Sequence, residues 1–417
     1  MPEAGVKVRM EARRPRAGKC KGCLNGTCAA TAFVYDAATM SLKLLSRFPG
    51  GNAADVEILN NGPVSEVRFA ADPCGGPEAL WFHFRLEETV PEPPRETKVR
   101  ITWLHFDNVL GAADSPTCLP VCQVHGQPWT RLKQGEETRT PDGRRQLSWL
   151  IPHPAPSVEV AFCFPYGPAD VDAVLDRGKD YWQAAPIGLS QGGRRILRLH
   201  NSVGATGGTQ PGIYIVARQH SGETPGSWVL DGFLRHLAQV KKAGYVVWAV
   251  PLADIDGVVR GYYGKDGFPY DLNRAWGSPP MRHETLVIRN DIRRWKARCK
   301  PILGLDLHAP GACERDGVYA FMSKDPAGPL AAEETKWCNV IQNELQAEFA
   351  APEFKRVINY PSRWETPNFG DFMRSEMGVP ALSIETPYSH AAGAVLTQKS
   401  YREIGHRLAL AVLRRHG

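Results

Sequence analysis

The sequence predicts an antiparallel β-sandwich domain followed by an α/β domain with a mixed sheet that helices cover on both faces. Two observations carry this prediction. Short strands separated by turns fill residues 31–180, whereas apolar runs alternate with helical patterns over residues 181–417. The chain has 417 residues, 43% of them hydrophobic, so it can bury a large core. Residues 1–30 are basic and unpatterned, and we expect a flexible tail there.

The amino-terminal part alternates apolar and polar residues at 79–86, 97–104 and 157–164, as half-buried strands do. Turn-forming residues at 72–77, 91–94 and 140–143 separate such runs. The aromatic residues here, among them Trp81, Trp103 and Trp129, are expected to pack in the core between two sheets.

The second part begins after a short helix predicted at 167–180. It contains an alternating strand at 194–200, a buried strand at 246–252 and a closing helix at 398–415. Another helix is predicted at 284–299, with Leu286, Ile288, Ile292 and Trp295 as its apolar stripe. Strands that alternate with helices favour a mostly parallel or mixed sheet.

One stretch of the second part combines a strand, a polar turn and a helix. The apolar run 212–217 ends in a turn that carries His220 and Glu223, and an apolar helical pattern follows over 228–237. Open α/β sheets place their sites at such carboxyl ends of strands. One imidazole and one carboxylate can bind the same cation, although a catalytic zinc usually takes three protein ligands.

Two further apolar runs end in residues that could complete the site. His308 ends the run 301–308, and Glu385 lies in the run 380–388, where an isolated carboxylate would be costly without a partner. Between Glu223 and His308, Asn273 precedes Arg274, and an amide beside a guanidinium is suited to holding a carboxylate. Each of these residues alone has an ordinary structural explanation, and only their combination favours a metal site.

The order His220-x-x-Glu223, Asn273-Arg274, His308 and Glu385 resembles the M14 family of zinc carboxypeptidases. The sequence of residues 217–234 resembles that of the cytosolic carboxypeptidase branch of this family, and the resemblance covers roughly residues 45–415. The resemblance implies that His220, Glu223 and His308 bind one Zn²⁺ per chain. It also implies that Glu385 is the general base and that Asn273 and Arg274 hold the terminal carboxylate of a substrate.

The sequence departs from the family pattern at three places. In one of them, Asp254-Ile255 replaces the usual Asn-Pro and adds a carboxylate close to the site. In an ungapped alignment, Gly264 occupies the place of the arginine that stabilises the oxyanion, and Arg260 and Lys265 are the nearest cations. We therefore expect Arg260 or Lys265 to serve as a catalytic cation. The lid tyrosine of the family has no single counterpart: Tyr360 is the preferred candidate for substrate binding, and Tyr263 and Tyr388 are alternatives.

The resemblance implies a metallocarboxypeptidase that removes residues from the carboxyl terminus of peptides or proteins, including acidic tails. One alternative is a zinc amidohydrolase of an N-acylated amino acid, similar to the aspartoacylase and succinylglutamate desuccinylase group. A second alternative is a non-catalytic peptide-binding relative. Arg363, Asp371 and Arg374 precede Glu385, where specificity residues are expected, but their opposite charges leave the preferred residue open.

Composition excludes several other classes of protein. The net charge of +6 is small, and no basic cluster or nucleic-acid module occurs, so we expect no nucleic-acid partner. No stretch approaches the ~20 apolar residues that span a bilayer, and residues 1–16 lack the apolar core of a secretion signal. We expect a cytoplasmic protein with no membrane partner. The role of Cys20, Cys23 and Cys28 and the oligomeric state stay open.

Overall fold

The computed structural model describes residues 42–59, 64–89, 98–113, 115–154, 156–241, 244–358 and 362–416. The predicted tail at 1–30, with Cys20, Cys23 and Cys28, lies outside the described residues, as does Tyr360. The expectations for them stay predictions.

The amino-terminal part contains two five-stranded sheets. Its strands are β1 (Leu42–Leu45), β2 (Ala54–Leu59), β3 (Glu66–Ala70), β4 (His83–Glu88), β5 (Lys98–Trp103), β6 (Val121–Val124), β7 (Thr130–Arg131), β8 (Glu136–Arg139), β9 (Arg145–Pro152) and β10 (Ser157–Ala161). One sheet has the order β1-β4-β10-β6-β7 and the other β2-β3-β5-β9-β8. All neighbouring strands are antiparallel except β3 and β5, which run parallel.

Aromatic rings fill the space between these two sheets. Phe69 of β3 contacts Phe84 of β4, with ring centroids 4.7 Å apart, and Trp103 of β5 lies 4.9 Å from Phe82. Trp103 is fully buried and Trp81 nearly so, while Trp129 packs against the same core. The predicted sandwich and its aromatic core are therefore confirmed.

The second part is built on an eight-stranded mixed sheet with helices. Its strands are β11 (Gln183–Leu189), β12 (Arg195–His200), β13 (Pro211–Ala217), β14 (Val246–Val250), β15 (Lys300–His308), β16 (Val318–Phe321), β17 (Ala350–Arg356) and β18 (Ala381–Glu385). A small hairpin follows, formed by β19 (His390–Ala391) and β20 (Ala394–Val395). The helices are α1 (Pro168–Arg177), α2 (Thr224–Val240), α3 (Ile255–Arg260), α4 (His283–Lys296), α5 (Ala331–Phe349), α6 (Phe369–Phe372) and α7 (Gln398–His416).

The centre of this sheet is parallel. The strand order is β11-β12-β14-β13-β15-β18-β16-β17, and β13 runs parallel to both β14 and β15. From β13 the chain continues through α2 to β14 on one side, and β15 lies on the other, so the strand order reverses at β13. Ligands bind at the carboxyl ends of strands at such a reversal.

The helices pack as their apolar patterns require, with one exception. Trp228, Phe233 and Leu237 of α2 are buried, as expected. Of the stripe predicted for α4, Ile288, Ile292 and Trp295 are buried, but Leu286 is 39% exposed. Leu286 lies two residues before Ile288, about 200° round the helix, so it points away from the sheet. The apolar core is continuous through both parts, and the predicted boundary at residue 180 stays a prediction.

Candidate metal centre

Adjacent strands bring the predicted metal ligands together. His220 and Glu223 lie in the turn between β13 and α2, and Glu223 immediately precedes the first residue of α2. His308 is the last residue of β15, the strand next to β13. Because β13 and β15 are parallel, their carboxyl ends meet at the same edge of the sheet.

The ligand atoms of these three residues converge on one point. Glu223 Oε1 lies 2.8 Å from His220 Nδ1, and Glu223 Oε2 lies 2.7 Å from His308 Nδ1. One ligand atom from each residue falls within 4.8 Å of the others. All three side chains are almost completely buried. Within the described residues, this is the only group of three or more such side chains that could hold a metal ion.

One aspartate contacts the far nitrogen of each imidazole. His220 Nε2 lies 3.2 Å from both carboxylate oxygens of Asp271, and His308 Nε2 lies 2.8 Å from Asp306 Oδ2. This arrangement directs Nδ1 of each ring to the common point, as carboxylates behind metal-binding histidines do. The sequence analysis missed both aspartates. The signal for Asp306 was present, since it lies two residues before His308 and therefore shares its face of β15.

The electrostatics of the centre favour a cation. Burial opposes the charged form of both histidines, but Glu223 and Asp271 raise the pKa of His220 to about 9. Asp306 and Glu223 likewise raise the pKa of His308 well above its ordinary value. Burial works against the Glu223 carboxylate too, yet the two imidazoles hold its pKa well below the usual range. The three carboxylates thus attract two protons to this point.

The residues present fit a zinc ion. Two imidazole nitrogens and one carboxylate are the ligand set of many catalytic zinc sites, which keep a fourth position for water. A divalent cation would replace the protons that the carboxylates attract to the histidines. His220, Glu223 and His308 would hold the ion.

Glu385 lies beside the centre. It is the last residue of β18, directly opposite His308 on the neighbouring strand β15. Its side chain is 9% exposed, and its Oε2 has no hydrogen-bond partner among the described residues. Burial raises the pKa of this carboxyl, while His308 acts in the opposite direction. A carboxylate oxygen that is buried and unpaired is suited to accept a proton from a bound molecule.

The side-chain amide of Asn273 forms hydrogen bonds with other residues of the chain. Its Oδ1 accepts hydrogen bonds from Gln219 Nε2 at 3.0 Å and from the backbone N–H of Phe369 at 3.1 Å. Its Nδ2 donates to Asp306 Oδ2 at 3.1 Å, and Gln219 donates to the same oxygen at 2.7 Å. Asn273 and Gln219 therefore support the carboxylate behind His308. The predicted contact of Asn273 with a substrate stays a prediction.

Arg274 lies near the centre with part of its guanidinium engaged. Nη1 donates to the carbonyl of Asn273 at 2.9 Å, and Nε donates to Ser362 Oγ at 3.2 Å. The side chain is largely buried, and its charge helps hold the pKa of Asp271 below its ordinary value, although burial opposes this and His220 contributes more. Arg274 is thus fixed close to the ligands, where the sequence predicts a carboxylate-binding residue.

The backbone at Gly264 excludes any side chain. Its φ is +84°, and a Cβ atom would lie 2.6 Å from Ser221 Oγ and 2.7 Å from the backbone nitrogen of Ser221. The next residue supplies the cation: Lys265 Nζ lies 4.0 Å from Glu223 Oε1, and its charge acts on Glu385 as well. The loop therefore places a lysine at the centre where the family has an arginine one residue earlier.

Arg260, the other predicted catalytic cation, makes no ion pair or hydrogen bond with the candidate ligands among the described residues, and its catalytic role stays a prediction. It is the exposed last residue of α3, and its guanidinium lies 6.0 Å from the ring centroid of Tyr262. Gly261, with φ of +74°, ends the helix and turns the chain away from that side chain. Of the two candidates, only Lys265 reaches the metal ligands.

The two described candidates for the lid tyrosine are interior residues. Tyr263 and Tyr388 are each 1% exposed, and their phenols lie close enough to act on each other. The ring of Tyr388 packs edge-to-face on Phe162 at 4.8 Å. Burial first, and the Glu223 carboxylate after it, raise the pKa of both phenols above the usual range. They lie near the centre but not on a surface loop.

The predicted specificity residues are neutralised by partners. Arg374 Nη1 lies 3.1 Å from Glu334 Oε1, and Arg374 Nη2 lies 3.1 Å from Asp371 Oδ1. Arg363 forms ion pairs with Glu78 and Asp266. No preference for an acidic or a basic residue follows from these side chains.

Sequence comparison places the chain among the relatives of one group of peptidases, although no family model matches it. It is 27% identical over 323 residues to cytosolic carboxypeptidase 2 of Xenopus tropicalis, covering 69% of this chain and 32% of that protein. It is 27% identical over 259 residues to cytosolic carboxypeptidase 6 of Mus musculus, covering 57% and 47%. The chain thus matches less than half the length of either relative.

Solved structures show the fold. A metallo-carboxypeptidase from Burkholderia cenocepacia matches 90% of this chain and 98% of its own, with a TM-score of 0.72 at 18% identity. A metallo-carboxypeptidase from Pseudomonas aeruginosa, in complex with (2-guanidinoethylmercapto)succinic acid, matches 89% and 99%, with a TM-score of 0.68 at 19% identity. At such identity these matches establish the architecture alone. The chain is therefore similar in sequence to proteins named cytosolic carboxypeptidases, and it has the fold of metallo-carboxypeptidases.

Proposed function

We propose that this chain is a zinc-dependent carboxypeptidase that hydrolyses the last peptide bond of a peptide or protein with a free carboxyl terminus. One observation carries the proposal: His220, Glu223 and His308 converge on one point, with the unpaired carboxylate of Glu385 on the adjacent strand. The relatives named cytosolic carboxypeptidases support the peptide substrate and a cytosolic location. Within the described residues, no helix is long and apolar enough to cross a membrane.

The protein side chains divide the reaction among them. His220, Glu223 and His308 would hold a zinc ion, which would supply a water of lowered pKa and polarise the scissile carbonyl. Glu385 accepts the proton of that water during attack on the carbonyl and passes it to the departing amine. The raised pKa of Glu385 suits this second step, because a carboxyl with a higher pKa holds the proton until the amine takes it.

Two cations serve the substrate. The Lys265 ammonium lies next to the Glu223 carboxylate. There it stabilises the negative charge that develops on the oxygen of the scissile carbonyl. Arg274 binds the terminal carboxylate, which distinguishes the end of a chain from every internal peptide bond. Because the guanidinium is largely buried, it discriminates strongly against a substrate without that charge.

The test is hydrolysis of a peptide library with free carboxyl termini, compared with carboxy-amidated copies of the same peptides. Zinc-loaded protein is expected to remove single terminal residues from the free peptides and to leave the amidated copies intact, as read by mass spectrometry. Glu385→Gln should reduce the rate by ~10²–10⁴-fold, because it removes the base. Glu353→Gln, at an exposed position, is the matched control.

Four results would contradict the proposal. Equal cleavage of amidated peptides would exclude recognition of the terminal carboxylate. An undiminished rate in Glu385→Gln would exclude the base. Failure to cleave any peptide, together with hydrolysis of N-acyl amino acids, would assign the site to an amidohydrolase; inertness toward both would indicate a binding protein.

A further inference from the structure

Arg131, on the amino-terminal strand β7, binds backbone carbonyls of the second part. Its Nε donates to the carbonyl of Leu396 at 2.8 Å, and its Nη2 donates to the carbonyl of Tyr388 at 2.7 Å. Its Nη1 donates to the carbonyl of Leu119 in its own part, and the guanidinium lies over the ring of Phe164 at 4.8 Å. Nη2 also donates to the hydroxyl of Tyr401 on α7 at 3.1 Å.

The two carbonyls lie near the start and at the end of one segment, which we call the base loop and define as residues 386–396. It follows Glu385 directly and contains the hairpin β19–β20. Leu396 closes it with a backbone hydrogen bond to Ser389 at 2.8 Å. The Ser389 hydroxyl donates to the carbonyl of Thr117, a second contact with the amino-terminal part. The base loop is therefore held at both ends by residues outside the sheet that carries Glu385.

The base loop runs along the metal centre. The backbone N–H of Thr386 donates to the carbonyl of His308 at 3.0 Å, so the residue after the candidate base is tied to a metal ligand. Tyr388 is buried in the same region, and its phenol is subject to the charge of Glu223. A shift of the base loop would thus move the end of β18, where Glu385 lies, relative to His308.

We propose that Arg131 is a positioning residue: through the carbonyls of Tyr388 and Leu396 it fixes the base loop and thereby sets the position of the Glu385 carboxylate beside the metal ligands. The amino-terminal sandwich therefore contributes to the site by positioning Glu385. One guanidinium binds one carbonyl near the start and one at the end of the same loop, and such charge-assisted hydrogen bonds are stronger than those between neutral groups. Losing Arg131 also removes the Nε donor from the carbonyl of Leu396, whereas the carbonyl of Tyr388 still accepts a hydrogen bond from the Tyr401 hydroxyl.

The test compares Arg131→Gln and Arg131→Lys with Arg139→Gln, whose exposed side chain reaches only the turn at Gly143 and nearby Glu137. Hydrogen exchange read by mass spectrometry reports on the base loop, and steady-state kinetics below the melting temperature report on Glu385. The kinetic readout rests on the proposed carboxypeptidase function, whereas hydrogen exchange does not. Tyr401→Phe, which removes one hydroxyl from the same cluster, serves as a milder second variant should Arg131→Gln fail to fold.

The expected result is faster exchange in the base loop of Arg131→Gln and a decrease in kcat of ~10–100-fold, because small misplacements of catalytic groups have effects of this size. KM should change by less than about threefold. Arg131→Lys should lie between Arg131→Gln and the wild type, Tyr401→Phe should change both readouts less in the same direction, and Arg139→Gln should match the wild type. A purely structural role would lower the melting temperature and leave kcat unchanged.

Unaltered exchange in the base loop would overturn the proposal, and so would faster exchange with an unaltered kcat or an effect confined to KM. If the wild-type protein hydrolyses no substrate, the proposed function fails on its own account. The exchange comparison then decides alone whether Arg131 holds the base loop: faster exchange supports the proposal, and no change overturns it.

Discussion

Asp271 and Asp306 determine which nitrogen of each histidine faces the metal position. Each accepts a hydrogen bond from an Nε2 atom, so each Nδ1 is left for a cation. An imidazole has only two nitrogens, and fixing one of them fixes the use of the other. The centre therefore depends on two carboxylates that would touch no substrate, and on Asn273 and Gln219 behind Asp306.

Lys265 is the cation that lies at the centre in place of the arginine expected at Gly264. Lys265→Met is predicted to lower kcat/KM by ~10²–10³-fold, because it removes the cation nearest to the developing negative charge. Arg260→Met is the matched control and should stay within about twofold of the wild type, since Arg260 is exposed at the end of α3. Steady-state kinetics on one cleaved peptide measure both. A large loss in Arg260→Met with none in Lys265→Met would reverse the assignment.

At the scale of elements, the helices, strands and turns that could be predicted from the sequence are those determined by residues close together in the chain. The apolar run of β13, the turn with His220 and Glu223, and the start of α2 follow from neighbouring residues, and so does His308 at the end of β15. The parallel pair β3–β5 and the two ends of the base loop depend on contacts between distant segments. Such contacts leave no periodic pattern, and Arg131 accordingly gave no signal in the sequence.

Strands β4 and β10 are joined by a carboxylate that makes stability depend on pH. Glu159 on β10 receives a hydrogen bond from His83 and an ion pair from Arg85 at 2.6 Å, and together these lower its pKa to about 2 although burial opposes them. Because the pKa is lower in the folded state than in the unfolded chain, the stabilisation is complete above the unfolded pKa of ~4.3. It is lost as the pH falls from there through about 2.

Glu159→Gln is therefore predicted to reduce the free energy of unfolding by about 1–2 kcal/mol at pH 7, a value discounted for the partial exposure of the carboxylate. The difference from the wild type should narrow as the pH is lowered below ~4.3. Urea unfolding at a series of pH values measures it. Glu136→Gln is the control and should show little effect, because the Glu136 carboxylate, paired with Arg100, is 64% exposed against 21% for Glu159. A difference that widens toward low pH would contradict the assigned direction of the shift.

At the scale of the whole molecule, the site joins the two parts of the chain. The candidate metal ligands lie at the end of β15 and in the turn after β13, and contacts from the amino-terminal part hold the loops that follow β15 and β18. Thr117 Oγ1 donates to the carbonyl of Cys313, beyond His308, and Arg131 holds the segment beyond Glu385. The continuous apolar core is consistent with this mutual dependence.

Zinc is predicted to stabilise the folded chain, because the three ligands come from segments that meet only in the folded state. At a free zinc concentration 100 times the dissociation constant, the gain in the free energy of unfolding is about 2.7 kcal/mol. Thermal unfolding with and without zinc measures it, and His308→Ala should abolish the gain. An equal gain in His308→Ala would place the ion elsewhere.

The most direct test of the zinc-dependent carboxypeptidase is to titrate chelator-stripped protein with zinc while following the release of terminal residues from a peptide with a free carboxyl terminus. The account predicts no activity at the start, a rise with added zinc, and an end to the rise at about one zinc ion per chain, the number that one three-ligand centre holds. Full activity in the stripped protein, or a rise that continues to a second ion, would contradict it.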